Sequence, residues 1–496
     1  MSKNIQKYLH RQMDKEAGIQ HSIKRTKIVA TVGPACSTYE KLLDLVRAGV
    51  NVFRLNFSHG AYEDKLAIIE AIRTINETQP FNIAILGDLQ GPKLRVGDLE
   101  NGRIDLPDGS EFIFTTIKMV GTSQKIYVSY PNLAQDVKVG ERIFLDDGKM
   151  EVKVEEILND TEVRISVTRG GILMPKKGVN LPDSALTMPS LTEKDIADLE
   201  FIIDNNLDWV ALSFVRKAND IIELKKRIKD RNSKIKVISK IEMPEALKNI
   251  RDIIVESDGV MIARGDLGVE VPVEQVPLIQ KEIIRKCMRR AKPVIVATQM
   301  MESMMERTKP NRSEVTDVAN AVLEGADAVM LSGETAMGLY PTLVVEMMSK
   351  IILEVERSAY DYNRDDILTP QIHSPSLLSD ALCYSACKMA QDVNANALIG
   401  MTQSGYTGFM LSSYRPKAPM YIFSKERTLI NQLSLSWGIR AIYYAEEESL
   451  DTIISDQINI LKERGFLNSG DVVVSTGSTP IAEHLPTNLI KITKID

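Results

Sequence analysis

The chain has only four cysteines in 496 residues. That is too few for a disulfide framework at this length, and it points to a reducing compartment, with the cytoplasm as the expected location. Long apolar runs are missing as well. None approaches the roughly 20 residues that a membrane-spanning helix needs, so no membrane partner is expected. The first residues are polar and charged, without the apolar centre of a secretion signal. Positive charge is not in excess either. The formal net charge of −6 gives no general reason to expect nucleic acid as a partner. What remains is an ordinary soluble composition, 44% hydrophobic and 26% charged, in a chain long enough for more than one self-sufficient core.

Residues 1–24 are weakly patterned and read as a leader. A rhythm of buried strand and amphipathic helix then begins. Strands are expected at 27–33, 50–57 and 82–89 and, after an interruption, at 208–214, 236–242, 259–267, 293–300 and 327–335. Eight strands, each followed by a helix, make a (β/α)8 TIM barrel the expected α/β architecture, built from residues 25–91 and 188–358. A long helix at 341–358 closes it. The interruption, 92–187, has short alternating runs at 111–115, 125–130, 142–145, 150–155 and 163–167, separated by turn signals such as DDGK. It reads as a small inserted all-β domain hinged at Gly91–Pro92, a lid over the barrel. Residues 361–375 are polar and carry prolines, as a linker would. Residues 359–496 repeat strand and helix on a smaller scale, with strands at 397–401, 420–423, 440–444 and 471–475. They form an expected C-terminal α/β open-sheet domain.

The stretch 235–270 organises the rest. Two apolar runs, Val237–Ile238 and Val260–Ile262, each stop on charge: Lys240 and Glu242 after the first, Arg264 and Asp266 after the second. The carboxyl ends of parallel strands are where α/β folds place their chemistry. Glu242 and Asp266 are hard oxygen ligands suited to Mg²⁺. The other expected strand ends carry Arg54, Asn56, Ser58, His59, Asp88, Ser213, Thr298, Ser332 and Glu334. In a barrel these ends face one mouth. Two carboxylates, a lysine and an arginine there suit a divalent metal and a phosphorylated acid, and such a set can offset charge in phosphoryl transfer. Another Mg²⁺-dependent barrel enzyme, such as an aldolase, would share the same carboxylate pair.

Nine segments then carry a resemblance: TVGPAC at 31–36, FRLNFSHG at 53–60, GDLQGPKLR at 87–95, KKGVNLP at 176–182, ISKIE at 238–242, ARGDLGVE at 263–270, ATQMMESM at 297–304, RSEVTDVANAV at 312–322 and SGETAMG at 332–338. In residue type and order they resemble the pyruvate kinase family. The C-terminal third resembles it more loosely, and Met243 stands where the family has a polar residue. The resemblance implies conversion of phosphoenolpyruvate and ADP to pyruvate and ATP. It implies Lys240, Arg54 and Thr298 as catalytic residues, and Glu242 and Asp266 as ligands of Mg²⁺, for which Mn²⁺ can substitute. Gly265 joins Arg54, Lys240, Asp266 and Thr298 around the substrate. Pro34, His59, Tyr62, Arg95 and Lys177 would meet the nucleotide. A homotetramer is implied too.

The monovalent-cation pocket implied by the resemblance comprises Asn56, Ser58, Asp88 and Leu89. K⁺-dependent members follow the aspartate with Thr-Lys-Gly-Pro-Glu, whereas here Asp88 precedes LQGPK. The family glutamate is thus Lys93, whose ammonium is expected to replace K⁺. In the C-terminal domain, Thr402, Gln403, Ser404, Gly405, Tyr406 and Thr407 sit between strand and helix, where an anion site forms. The resemblance makes this the phosphate loop of an allosteric effector. The second half of such a site, at 476–487, has no arginine or tryptophan, so a monophosphate or nucleotide is as well suited as a sugar bisphosphate. Cys383 and Cys387 share a helix face and read as small buried residues.

Overall fold

The computed structural model describes residues 24–358, 370, 376–446, 449–479 and 486–496. The expected leader up to residue 23 and nearly all of the 361–375 linker lie outside the described residues. Eight parallel strands close into a barrel: β1 (Lys27–Thr31), β2 (Val52–Asn56), β3 (Ala84–Asp88), β4 (Trp209–Leu212), β5 (Lys236–Ile241), β6 (Gly259–Ala263), β7 (Val294–Ala297) and β8 (Ala328–Leu331). Each strand pairs with its sequence neighbours, and β1 against β8 completes the ring, Lys27 opposite Ala328. Side chains that point inward fill the barrel: Val29, Leu86, Trp209, Ile238, Met261 and Ile295 are all fully buried. Leu435 of the C-terminal domain plugs the lower end of this cluster. The barrel is a packed core, so chemistry is confined to its rim.

The lower rim has a repeated device. The residue just before each even strand accepts a hydrogen bond from a backbone N–H near the start of the preceding odd strand. Asn51 takes Ile28, Asp208 takes Ile85, Asp258 takes Val237 and Asp327 takes Val294, at 2.8–3.1 Å. These four stitches satisfy donors that the pleat leaves open where the strands are staggered.

The inserted domain has its own core, in which Phe114, Ile126, Ile143, Val152 and Val163 are fully buried. Its six-stranded sheet runs Val179–Asn180, Arg142–Leu145, Met150–Asn159, Glu162–Arg169, Glu111–Thr115 and Lys125–Tyr127 in spatial order. A two-stranded piece, Ile104–Leu106 with Gly171–Leu173, was not expected from the sequence. Gly91, at the junction with the barrel, has φ 69° and lies against Ser213 and Phe214. A Cβ there would come within 2.9 Å of both, so only glycine fits.

The C-terminal sheet has five strands, in the order Ile439–Tyr443, Met420–Ser424, Ala397–Met401, Val472–Gly477 and Leu489–Lys494. The last is antiparallel and was not expected. A buried Arg415–Asp327 ion pair at 3.0 Å ties this domain to the base of β8, and Trp437 N–H donates to the same aspartate. Among the described residues, no helix is long and apolar enough to cross a membrane.

Candidate active site

The upper rim gathers the expected groups into one network. Asp88, at the end of β3, accepts from Arg54 Nε at 2.6 Å and lies 3.3 Å from Lys240 Nζ. Lys240, near the end of β5, also pairs with Glu242 at 2.9 Å and donates to Ser213 Oγ at 2.7 Å. Glu242 uses its other oxygen to accept from Phe214 N–H at 2.8 Å. Asp88 and Glu242 are almost wholly buried, at 2% and 1% side-chain exposure, so this is charge held in a low dielectric. Burial disfavours the Lys240 ammonium, but the carboxylates of Asp88 and Glu242 outweigh it and raise its pKa. Burial also works against the Asp88 carboxylate, and Lys240 and Arg54 more than offset it, so its pKa is lowered. Glu242 goes the other way: burial and then repulsion from Asp266 raise it against the pull of Lys240. Carboxylates that repel across a gap are a fit for a cation between them.

Asp266 is set differently from the expected strand end. β6 stops at Ala263, and the chain turns at once into a helix, Arg264–Glu270, with Asp266 in its first turn. The two carboxylates expected to hold a metal are therefore one at a strand end and one in a helix. Among the described residues, no group of three or more His, Cys, Asp or Glu is arranged to hold a metal. Two protein ligands suit Mg²⁺, which keeps several waters and takes substrate oxygens.

Thr298 follows β7 with φ 68°, and Gln299 follows with φ 53°. A β-branched residue in the left-handed region is an outlier of a kind that collects at functional sites. Its hydroxyl accepts from Gly265 N–H at 2.7 Å, and Arg264 holds its carbonyl at 2.8 Å. Gly265, Asp266 and Thr298 are thus brought together. Glu334 serves the backbone instead, accepting from Met301 and Ser332 N–H. Ser58 N–H donates to Asn56 Oδ1, and Leu89 carbonyl accepts from Ser213 Oγ.

Lys93, expected to replace K⁺, lies at the same mouth. Its ion pair is with Asp266, at 3.9 Å, and it has none with Asp88. Both Asp88 oxygens already face Arg54 and Lys240, which leaves Asp266 as the carboxylate in reach. The expected nucleotide residues belong to both the barrel and the inserted domain. Pro34 and His59 are exposed. Tyr62 stacks on Phe201 with ring centroids 4.7 Å apart and donates to Asp198. In the inserted domain, Arg95 holds the Lys176 carbonyl, and Lys177 pairs with Asp146 at 2.8 Å. Sequence reasoning missed Asp146, Asn180 and Glu270. The last two lie within the quoted KKGVNLP and ARGDLGVE segments, which was the available signal.

In the C-terminal domain a cavity of about 730 Å³ is lined by Thr402, Gln403, Ser404, Tyr406 and Thr407, with Leu450, Ile453 and Ile454 on another wall. Gly405, at φ 89°, turns the chain into the helix Tyr406–Ser413. Its N–H donates to Thr402 Oγ1. No charged residue among those described lines the cavity. Cys383 and Cys387 are buried, as expected.

A barrel whose rim concentrates a buried lysine, an arginine and a carboxylate pair, beside an inserted β domain, suits an enzyme of phosphoryl-transfer type. Two family models match the chain, the pyruvate kinase barrel domain over residues 23–345 and the pyruvate kinase alpha/beta domain over 380–493. A pyruvate kinase of Geobacillus stearothermophilus is 41% identical over 471 residues, 95% of this chain and 80% of the relative. One from Staphylococcus aureus is 39% identical over the same shares. A crystal structure of a Cryptosporidium parvum pyruvate kinase superposes with a TM-score of 0.89 at 35% identity, covering 95% of this chain and 96% of that one. The chain belongs to the pyruvate kinase family. It is a phosphotransferase, and the family implies a divalent metal.

Proposed function

We propose that the chain transfers the phosphoryl group of phosphoenolpyruvate to ADP, giving pyruvate and ATP, with Mg²⁺ between Glu242 and Asp266. The observation that carries the reading is the buried Arg54–Asp88–Lys240–Glu242 network. Lys240 and Arg54 are two cations fixed beside the carboxylate pair, so charge that develops on the moving phosphoryl group meets donors that need no reorganisation. The P–O bond to the enol oxygen breaks as the bond to the terminal ADP oxygen forms. The enolate then takes a proton at its methylene carbon to become pyruvate. Thr298, strained and adjacent to Gly265, is proposed to lie on that proton path. A divalent metal held by Glu242 and Asp266 would supply neutralisation of the charge that develops during the transfer. Arg95 and Lys177 carry the nucleotide on the lid, with Pro34, His59 and Tyr62 opposite. Lid closure excludes water, which competes as acceptor.

We further propose that K⁺ is not required. The Lys93 ammonium adds a fixed positive charge to the mouth, where K⁺-dependent relatives are expected to carry a glutamate. The C-terminal cavity is proposed to bind a phosphorylated effector through the hydroxyls and helix start at 402–407. The described residues that line it are neutral, which favours a monophosphate or nucleotide over a bisphosphate. A homotetramer in the cytoplasm completes the reading. The test is the rate of pyruvate formation from phosphoenolpyruvate and ADP with Mg²⁺, with tetramethylammonium as the only added monovalent cation. Full activity is expected. An absence of turnover with K⁺ present as well would defeat the reading.

A further inference from the structure

Glu270 ends the short helix whose first turn carries Asp266, and it is 6% exposed. Its Oε1 accepts from Asn180 Nδ2 at 2.6 Å, while Oε2 is buried without a hydrogen-bond partner. A buried carboxyl oxygen left unpaired is costly, so something else must hold the side chain in place. Burial pushes its pKa up to about 7, which limits that cost; the Asn180 hydrogen bond acts in the opposite direction, and the charges of Asp266 and Glu242 raise it further. Asn180 belongs to the lid. It lies in the strand Val179–Asn180, opposite Phe144 of Arg142–Leu145, three residues beyond Lys177. Two further lid segments approach the same helix. A Cβ on Gly148 would sit 3.5 Å from Val269, and Lys93 faces Asp266.

We propose that Asn180 and Glu270 are positioning residues for phosphoryl transfer: their hydrogen bond seats the nucleotide-bearing strand of the lid on the metal-bearing helix of the barrel. It acts through the lid strand that carries Lys177, and neither Asn180 nor Glu270 touches the reacting atoms. The two partners are 90 positions apart in sequence and belong to different domains, so the bond reports the lid's position and nothing local. The proposal rests on the reading that the lid carries the nucleotide.

The test uses the full-length enzyme with Mg²⁺. Asn180→Ala, Glu270→Ala and Glu270→Gln are compared with wild type for KM(ADP), KM(phosphoenolpyruvate) and kcat. Asn180→Ala and Glu270→Ala should each raise KM(ADP) about tenfold and leave KM(phosphoenolpyruvate) within about twofold. Glu270→Gln keeps an acceptor for Asn180 and should stay within about twofold of wild type. Hydrogen exchange of the 176–182 segment with ADP bound should quicken in both alanine variants. Equal rises in the two KM values, wild-type kinetics for Asn180→Ala, or a Glu270→Gln variant as impaired as Glu270→Ala would overturn the proposal. A wild type that makes no ATP would instead remove the underlying reading.

Discussion

Replacing Lys240 by methionine keeps most of the side-chain stem and deletes the charge. The structure makes two separate consequences calculable. The ammonium faces Glu242 at 2.9 Å and Asp88 at 3.3 Å, with Ser213 Oγ at 2.7 Å. At an effective dielectric near 20, each ion pair is worth on the order of 5 kcal/mol before desolvation is subtracted. Breaking a buried pair by removing one partner costs about 3–5 kcal/mol, because the other charge stays buried. Here the lower end applies. Asp88 keeps Arg54 at 2.6 Å, and Glu242 keeps the Phe214 N–H at 2.8 Å. The variant should therefore fold but lose about 3 kcal/mol of stability. Activity should fall further, since transition-state charge stabilisation of about 3 kcal/mol or more corresponds to at least a hundredfold in kcat. The thermal midpoint and far-UV circular dichroism report the first effect. Coupling pyruvate formation to NADH oxidation at saturating substrates reports the second. A folded variant that turns over within tenfold of wild type would refute the assignment of Lys240 to the chemistry.

Three other outcomes follow from the same structure. Lys93→Glu should lose most activity in tetramethylammonium and recover part of it on adding K⁺, measured as initial rates across a K⁺ titration; no K⁺ response in this variant would contradict the charge-replacement idea. Burial raises the pKa of Asp208 to about 7, above its unfolded value near 3.9, so the folded state holds the proton more tightly. Its contribution to stability is thus complete below pH 4 and lost as pH rises towards 7, by no more than about 4 kcal/mol. Asp208→Asn should flatten that part of a thermal-midpoint profile between pH 4.5 and 8, and an unchanged slope would count against it. Arg415→Met should cost about 3 kcal/mol by leaving Asp327 buried without its partner, read as a lowered unfolding midpoint, and a midpoint equal to wild type would show the pair to be dispensable.

The eight barrel strands were legible because each is a short apolar run, and several of them stop on a polar or charged residue such as Asp88, Ser213, Glu242 or Thr298. Their ends were less so. The sixth and eighth were read through to residues 267 and 335, but the chain leaves the sheet at Ala263 and Leu331. Hydrophobic periodicity cannot mark the point where ARGDLGVE starts to coil, because the turn is made by contacts with Thr298 from the next strand end. The strand Leu489–Lys494 escaped notice because it lies at a sheet edge and is half-exposed, with mixed polar and apolar residues. At the site, residue types and strand positions foretold the convergence of Arg54, Asp88, Lys240 and Glu242. They did not foretell how Asp88 divides its two oxygens, nor therefore that Lys93 would turn to Asp266. The pairing of Asn180 with Glu270 depends on how two domains dock, and no local pattern encodes that.

The central claim is direct transfer of phosphorus from phosphoenolpyruvate to ADP at this barrel mouth. Phosphorus NMR of the full-length protein with both substrates and Mg²⁺ follows every phosphorus species at once. The account predicts that the phosphoenolpyruvate resonance decays while the γ-phosphate of ATP grows one for one, and that Lys240→Met slows the exchange at least a hundredfold. Release of inorganic phosphate in place of ATP, or spectra that do not change with active protein present, would contradict it.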